Sequence, residues 1–360
     1  MDSTEGLRPD NYRTYQVFYP DDLVFKLIDL ENIQTSRVGI VPEKGIMSPV
    51  YIRLESESDL YERYYFYQYY DLYKKHIFNF LGKGVRSSLS PSDLLEIPLA
   101  FPPLSEQTQI ANFLDRKTEQ IDELIRIKER RIELLQEQRT ALINQAVTKG
   151  LDPTVEMKPS GVEWIGEIPA HWEVKKIKYV ATFISEKSMP ETDAIRISPE
   201  NVESKTGKVL NFFSSYDSNG VKFQVGDVLF NKIRVYLNKV VYAEYDGYSL
   251  GEMIIIRPSL QDIGKYLFYL MLSSRFIEYC DSISRGAKMP RTDVYDILNA
   301  QVPITSHQEQ TQIVDFLDRK TQQVNELIAT GHRKIQLLQE YRQSLISEAV
   351  TGKIDVRNEV

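Results

Sequence analysis

Cysteine and histidine are both scarce in this sequence: there is one cysteine, Cys280, and there are four histidines. A lone thiol cannot close an internal disulfide and agrees with a reducing compartment, and four scattered imidazoles leave little for a metal site, so a structural zinc is not expected. Long apolar runs are missing as well. No stretch approaches the roughly 18 uncharged apolar residues of a membrane span, and the opening MDSTEGLRPDN lacks the basic-then-apolar order of a secretion signal. These absences place the chain in the cytoplasm. An excess of positive charge is also lacking: the formal net charge is −7, which argues against a generic polyelectrolyte binder, because non-specific nucleic-acid affinity comes mainly from Lys and Arg on phosphates. A nucleic-acid binder of this composition works through local basic patches, with help from partners.

Catalytic signatures are absent too. There is no Walker-type phosphate loop, no methyltransferase-like Asn/Asp-Pro-Pro-Tyr/Phe, no nuclease carboxylate set in a plausible context and no nucleophile elbow. His76 and His171 stand alone, at positions read as packed or exposed rather than catalytic. The chain is therefore expected not to be an enzyme, with catalysis lying in other chains.

What is present is a duplication. The 360 residues, 42% hydrophobic and 26% charged, leave room for about two to three globular domains. EQTQIANFLDRKTEQIDELI from Glu106 returns as EQTQIVDFLDRKTQQVNELI from Glu309. Continued without gaps to Asp152 and Asp355, roughly 28 of about 47 positions are identical, far more than unrelated amphipathic helices share. Leu114, Ile121, Ile125, Ile132, Leu135, Leu142 and Ala146 form a heptad seam completed by Lys128 and Arg139. Leu317, Val324, Ile328, Ile335, Leu338, Leu345 and Ala349 repeat it, with Arg342 for Arg139 and Gly331 for Lys128. Pro102-Pro103 and Pro303 stop the preceding elements, and Ser306 with Glu309 has the spacing of a capping box. Each helix should run about 40 residues, or roughly 60 Å, and should pair with its duplicate as an antiparallel coiled coil. On the helices alone, a plain oligomerisation device is an equal reading.

Weaker echoes extend the duplication to the globular parts. DDLVFKL at Asp21 resembles GDVLFNKI at Gly226, DLYERYYFYQYY at Asp59 parallels DIGKYLFYLMLSSRF at Asp262, and GKGVRSSLSPSDLLEIPLAFPP at Gly82 parallels GAKMPRTDVYDILNAQVP at Gly286. Strand-like segments around 223–230, 238–243 and 252–257, with a helix near 262–281, indicate an α+β module. The tyrosines of YERYYFYQYYDLY recur at helical spacing and read as core rather than as a base-stacking platform. The Gly-Asp turn at Gly226-Asp227 lies about 65 residues beyond Gly161, whereas its counterpart lies only about 20 residues from Met1. The first module is thus read as shortened at its N-terminal side.

The two EQTQIxxFLDRKT helices closing on TALINQAVTKGLD and QSLISEAVTGKID, the opening GVEWIGEIPAHWEVKKI from Gly161, ISPENVESKTGKV around Ser198 and the GDVLFNKIRV turn together resemble the specificity subunits of type I restriction-modification systems. The resemblance spans almost the whole chain. It implies an α+β chain of two globular α/β target-recognition domains separated by two long helices pairing as an antiparallel coiled coil. The corresponding division is 1–104 for a first target-recognition domain, 105–150 for the central helix, 151–160 for a linker, 161–304 for the second domain and 305–360 for the C-terminal helix. It implies double-stranded DNA as ligand, a bipartite site read one half per domain, and docking of two adenine-methyltransferase subunits. Restriction-translocase subunits would join through the complex. No cofactor is expected on this chain, with S-adenosylmethionine held by the methyltransferase subunits. Two other readings stand beside this one: a half-specificity chain pairing with a second specificity chain or a split partner, and a coiled-coil scaffold whose modules bind proteins.

Candidate DNA contacts are the basic loops after the aromatic helices. Arg285, Lys288 and Arg291 in SRGAKMPR, and Lys83, Arg86, Ser87 and Ser88 in GKGVRSS, combine glycine, which lets backbone approach closely, with cations suited to phosphates or guanine edges. Either loop alone is more often an ordinary solvated surface, but both recur at equivalent places. Lys232, Arg234 and Asn238 in FNKIRVYLNK form a second candidate group just after a strand, where alternation of polar residues would point them to one outward face, with Lys26 at the related place in the first module. An exposed strand end is the plain alternative.

Overall fold

The computed structural model describes residues 12–31, 36–55, 60–81, 88–212, 219–260 and 263–357. The chain divides into two compact units, Met1–Arg130 with Gly331–Val360, and Arg131–Thr330. Each unit therefore contains one globular module, the first part of one long helix and the last part of the other.

In the first unit, β1 (Gln16–Phe18) pairs antiparallel with β4 (Gly45–Met47), and β2 (Leu23–Lys26) lies between β3 (Val38–Ile40) and β5 (Tyr51–Leu54). Alternate residues of β2 are buried, Leu23 and Phe25 facing inward, as expected of a strand with one covered face. Helix α1 (Glu62–Lys74) packs its tyrosines inward: Tyr64, Tyr65, Tyr67, Tyr69 and Tyr73 are all at most 6% exposed, so they are core. Two short helices follow, α2 (Ile77–Leu81) and α3 (Pro91–Leu95), then the long α4 (Leu104–Lys149).

The second unit repeats this order and adds to it. β6 (Met157–Pro159) pairs with β7 (Glu167–Pro169), so the end of the segment read as a linker is a strand. β8 (Glu173–Lys176), β9 (Ala181–Ile184), β10 (Lys187–Ser188) and β11 (Arg196–Ile197) lead to β12 (Gly220–Phe223), β13 (Val228–Asn231), β14 (Val240–Tyr242), β15 (Gly247–Ser249) and β16 (Met253–Pro258). Two four-stranded sheets result, in the orders β10-β12-β15-β11 and β14-β13-β16-β9. All four residues of β13 are buried, so it reads as a continuous apolar run rather than an alternation. One core lies between the second sheet and the helices, and another, built on Phe223, Leu229, Val241 and Ile255, between the sheets.

The segment predicted as one strand over 223–230 is two strands joined by a turn. Asp227 closes that turn by accepting the Gln224 N–H at 2.9 Å, and Asp22 accepts the Tyr19 N–H at 2.8 Å in the first unit. The residue before each aspartate has a positive φ, 93° at Gly226 and 68° at Asp21. Aspartate tolerates this left-handed conformation better than most side chains, which is why the turn survives without its glycine. The predicted helix near 262–281 is likewise two, α5 (Gly264–Leu272) and α6 (Ser274–Ser282), parted where Ser273 adopts extended backbone and accepts from the Phe276 N–H. Helix α7 (Val294–Asn299) and strand β17 (Gln301–Ile304), paired with β8, precede α8 (His307–Val350).

Within each unit the two helix segments run antiparallel and bury the predicted seam. In the first unit Ile110, Leu114 and Ile121 share a core with Leu345, Ile346 and Ala349; in the second, Ile143, Ala146 and Val147 share one with Ile313 and Leu317. Arg342 sits 3.0 Å from Asp122 as an ion pair outside hydrogen-bond angles, whereas the equivalent Arg139 donates to the neutral Asn325 at 2.7 Å. The capping box at α8 forms only in part. Ser306 accepts the Glu309 N–H at 3.3 Å, but the Glu309 carboxylate turns instead to Thr305 and to His171, 2.9 Å away.

A second repeated feature fastens each module to its helix. Tyr67 donates to Asp115 at 2.7 Å, which Arg63 also contacts at 2.9 Å, and Tyr269 donates to Asp318 at 2.6 Å, which Lys265 contacts at 2.6 Å. Thr118 and Thr321 lie 3.3 Å from the same phenols. Burial pushes both phenols well above the usual tyrosine range.

Tyr67→Phe and Tyr269→Phe should each cost about 1.5–3 kcal/mol, the contribution of a hydrogen bond to a charged group, read as similar drops in urea midpoint; a change in one variant only breaks the equivalence. Asp227 is 1% exposed and holds Arg257 through bonds of 2.9 and 2.8 Å. Asp227→Ala should therefore cost about 3 kcal/mol. Asp22, 16% exposed, 3.5 Å from Arg53 and accepting the Tyr19 N–H, should lose less, about 1–2 kcal/mol, on the same change.

Candidate nucleic-acid interface

The loop after β13 is shaped by its last residue. Asn231 donates its amide to the Ile233 carbonyl at 2.8 Å and accepts the Ile233 N–H at 3.3 Å, bending the chain sharply out of the strand. Arg234 follows with φ 48°, and Asn238 has the same φ after a 3-10 turn over Val235–Leu237. A left-handed arginine costs on the order of 1 kcal/mol, so something must hold it. The Arg234 N–H donates to the Pro290 carbonyl at 2.7 Å, and the Thr292 N–H donates to the Lys232 carbonyl at 2.9 Å.

Those acceptors and donors belong to the other basic loop. Residues 285–291 form a tight hairpin closed by reciprocal bonds between Arg285 and Arg291, at 2.8 and 3.0 Å, with Gly286 at φ 103° inside the turn. Isolated bridges join Arg291 to both Arg285 and Ile233. Thr292, fully buried, anchors the base by donating to the Cys280 carbonyl at 2.9 Å. The two groups predicted separately are one structure, a loop and a hairpin stitched together through their backbones.

Of the residues singled out in the sequence, Arg234, Arg285, Lys288 and Arg291 are exposed. The Arg285 side chain is 80% exposed, and its nearest carboxylate, on Asp296, is 3.6 Å away. Lys232 is half-buried and paired with Glu252 at 3.0 Å. Asn238 is turned inward, 6% exposed, its amide donating to the Leu272 carbonyl at 2.8 Å. The alternation expected to point it outward is broken by the left-handed turns on either side of Val235–Leu237. Sequence reading missed the residues that hold the loop, Asn231 and Thr292, although an asparagine at a strand end is a recognisable turn-former. It also missed Tyr236 and Met289, each 49% exposed beside the arginines.

In the first unit, Lys83, Arg86 and Ser87 lie outside the described residues. Ser88 is half-buried. Leu89 donates to the Leu27 carbonyl at 2.9 Å as Thr292 does to Lys232, so the loop enters the fold at the same point. That bond gives the same register as the sequence alignment of DDLVFKL with GDVLFNKI: Leu27 matches Lys232, and Lys26 matches Asn231. Lys26 is half-buried at the end of β2. Among the described residues no three histidine, cysteine or acidic side chains gather as a metal site, and no helix is long and apolar enough to cross a membrane.

Comparison with known proteins agrees with the fold. The type I restriction-modification DNA specificity domain matches residues 7–136 and 169–338. The EcoDI specificity subunit of Escherichia coli is 24% identical over 73% of this chain, and the chain spans 63% of that subunit, under two thirds of its length. The MjaVIII specificity subunit of Methanocaldococcus jannaschii is 25% identical over 88% of this chain and 76% of its own. Among solved structures, a chain from work on complex assembly and conformational transition of a type I system superposes with a TM-score of 0.71 at 14% identity, covering 93% of this chain and 83% of its own. The HsdS subunit of Thermoanaerobacter tengcongensis gives 0.50 at 15% identity, covering 94% and 82%. With the family match extending over both modules and into both long helices, the chain belongs to the type I restriction-modification DNA specificity family.

Proposed function

We propose that this chain is the DNA sequence-recognition subunit of a type I restriction-modification complex, itself without catalytic activity. The observation that carries the reading is the stitched loop and hairpin of the second unit, which presents four exposed cations, Arg234, Arg285, Lys288 and Arg291, on a rigid backbone. Exposed arginines on a short, fixed hairpin suit both phosphate oxygens and the O6 and N7 edge of guanine. A chain with net charge −7 gains little from its bulk electrostatics, so affinity concentrates in this patch and in partners.

The partners of this reading are double-stranded DNA, two adenine-methyltransferase subunits and, through the complex, restriction-translocase subunits. S-adenosylmethionine belongs to the methyltransferase subunits, which would flip the target adenine and methylate its exocyclic nitrogen. The specificity-subunit names of the relatives and the type I assembly from which one solved neighbour comes support this set of partners.

Arg285→Ala and Lys288→Ala should each weaken DNA binding and lower the slope of log affinity against log salt by about 1, as loss of one phosphate contact does. Arg234→Ala should cost about 1–3 kcal/mol if it reads a base edge, and relax the preferred sequence at one position. The measurement is fluorescence anisotropy with the methyltransferase subunits present, against the methylated motif and random duplexes. Equal affinity of the unaltered complex for every duplex overturns the recognition reading; unchanged slopes remove the hairpin from it.

A further inference from the structure

Strand β5 lies at the edge of its sheet, which runs β3-β2-β5. Its counterpart in the second unit is β16, since Leu54 stands opposite Leu23 as Ile256 stands opposite Val228. There the sheet runs one strand further, and Ile255 of β16 stands opposite Ile184 of β9. Arg53 holds the place of Ile255. In β2 the even-numbered residues bond to β3, the Lys26 N–H donating to the Arg37 carbonyl at 2.9 Å and the Asp22 carbonyl accepting the Val41 N–H at 3.0 Å. Leu23 and Phe25 therefore bond to Leu54 and Ile52, and the N–H and carbonyl of Arg53 turn outward. The Lys232 N–H, donating to the Glu252 carbonyl at 3.2 Å, gives β13 and β16 the matching parity. Neither outward group of Arg53 meets a partner among the described residues.

A second edge of the same unit is open. Ile97, Leu99 and Phe101 hold the places of Ala300, Val302 and Ile304, counted back from the Glu106 and Glu309 that open the helix repeats. Strand β8 covers the latter: Lys175 and Glu173 stand opposite Val302 and Ile304, and the Ile177 N–H donates to the Ala300 carbonyl at 3.0 Å. In the first unit Ala100 exchanges two bonds of 2.8 Å with the Gln68 side chain, whereas the backbone groups of Leu99 and Phe101 meet no partner among the described residues. Phe101 is 69% exposed and Leu95 65%, while their counterparts Ile304 and Leu298 pack on the second unit's core. One continuous stretch, residues 173–184, fills both places in the second unit. Unpaired strand edges accept extended peptide through main-chain hydrogen bonds.

We propose that the first unit takes up an extended segment of another polypeptide, which adds antiparallel to β5 and to residues 97–101 as residues 173–184 do in the second unit. The segment carries apolar side chains where Val174, Ile177, Ala181 and Phe183 stand, all of which pack on the second unit's core. The first eleven residues of this chain lack that pattern, with Met1 and Leu7 as their only large apolar side chains. A second copy is a poor donor, because its own residues 173–184 are committed, with Ile177 fully buried. Main-chain bonds supply affinity, and the cover needed by Leu95, Leu99 and Phe101 selects an apolar partner. None of this depends on the DNA reading.

The test is fluorescence anisotropy of a labelled synthetic peptide with the sequence of residues 173–188, titrated with the full chain. It should bind at least about tenfold more tightly than a scrambled peptide. Arg53→Pro removes the outward N–H but leaves the bonds of Ile52 and Leu54 to β2, and should weaken binding about tenfold, whereas Arg53→Ala, which keeps that N–H, should not. The peptide carries a matching control that leaves the protein untouched. N-methylation at the position of Ile184, whose counterpart bonds to β16, should cost about tenfold, and N-methylation at the position of Phe183, which by parity points away from that strand, should not. Binding no tighter than that of the scrambled peptide, equal losses from the two N-methylations, or undiminished binding by folded Arg53→Pro overturns the proposal. Self-association of the chain, read by sedimentation and abolished by Arg53→Pro, overturns it as well, because a second copy then fills the edge.

Discussion

Two carboxylates fasten the modules of this protein to its long helices. Asp115 and Asp318, at the same place in the two helix repeats, each receive a buried tyrosine hydroxyl and a cation from the aromatic helix of their module. The charge is satisfied from the module side and the tyrosine ring is packed from the core side, so the module cannot turn on its helix without breaking both. This gives the Asp and the Thr of DRKT the same use in both copies while the surrounding modules differ. The anchoring pairs show that part of the identity between the two helices is used within the chain.

The same symmetry makes the differences informative. Where the first unit sets an ion pair between Asp122 and Arg342, the second sets a neutral acceptor, Asn325, against a more deeply buried Arg139. Burial lowers the Arg139 guanidinium from its usual range, and nearby Glu203 works against that. The first contact weakens with salt, and the second is governed by desolvation. The modules also differ in depth: the second has a core between two four-stranded sheets, and at the position of Ile255 in that core the first carries Arg53, which reaches Asp22 and the Val17 carbonyl.

Much of this was legible in the sequence because it repeats there. The seam from Leu114 to Ala146 and its copy follow from spacing alone, and the tyrosines of α1 betray their burial by helical period. What stayed hidden is whatever depends on contacts far along the chain. Periodicity cannot show that Lys232 and Arg234 are bonded to residues 290–292, so two loops were read where there is one platform. Nor can alternation survive the left-handed turns at Arg234 and Asn238, which is why Asn238 was read as outward-facing and is found buried. Ser273 looked like one more helical residue; its extended backbone, with its hydroxyl capping Phe276, makes it a boundary. Each unit is built from parts of both long helices, the first part of one and the last part of the other.

That exchange of helix ends has a consequence for how the chain matures during synthesis. The second unit, Arg131–Thr330, is continuous in sequence, whereas the first is completed only by Gly331–Val360. Leu345, Ile346, Ala349 and Val350, which close the first unit's core, are synthesised only after the whole of the second unit. Domains that are synthesised first generally fold first. Here the order is inverted: the earlier module must wait, its tyrosine-lined face uncovered, until the later one has been made and the final turns of the last helix emerge to cover it.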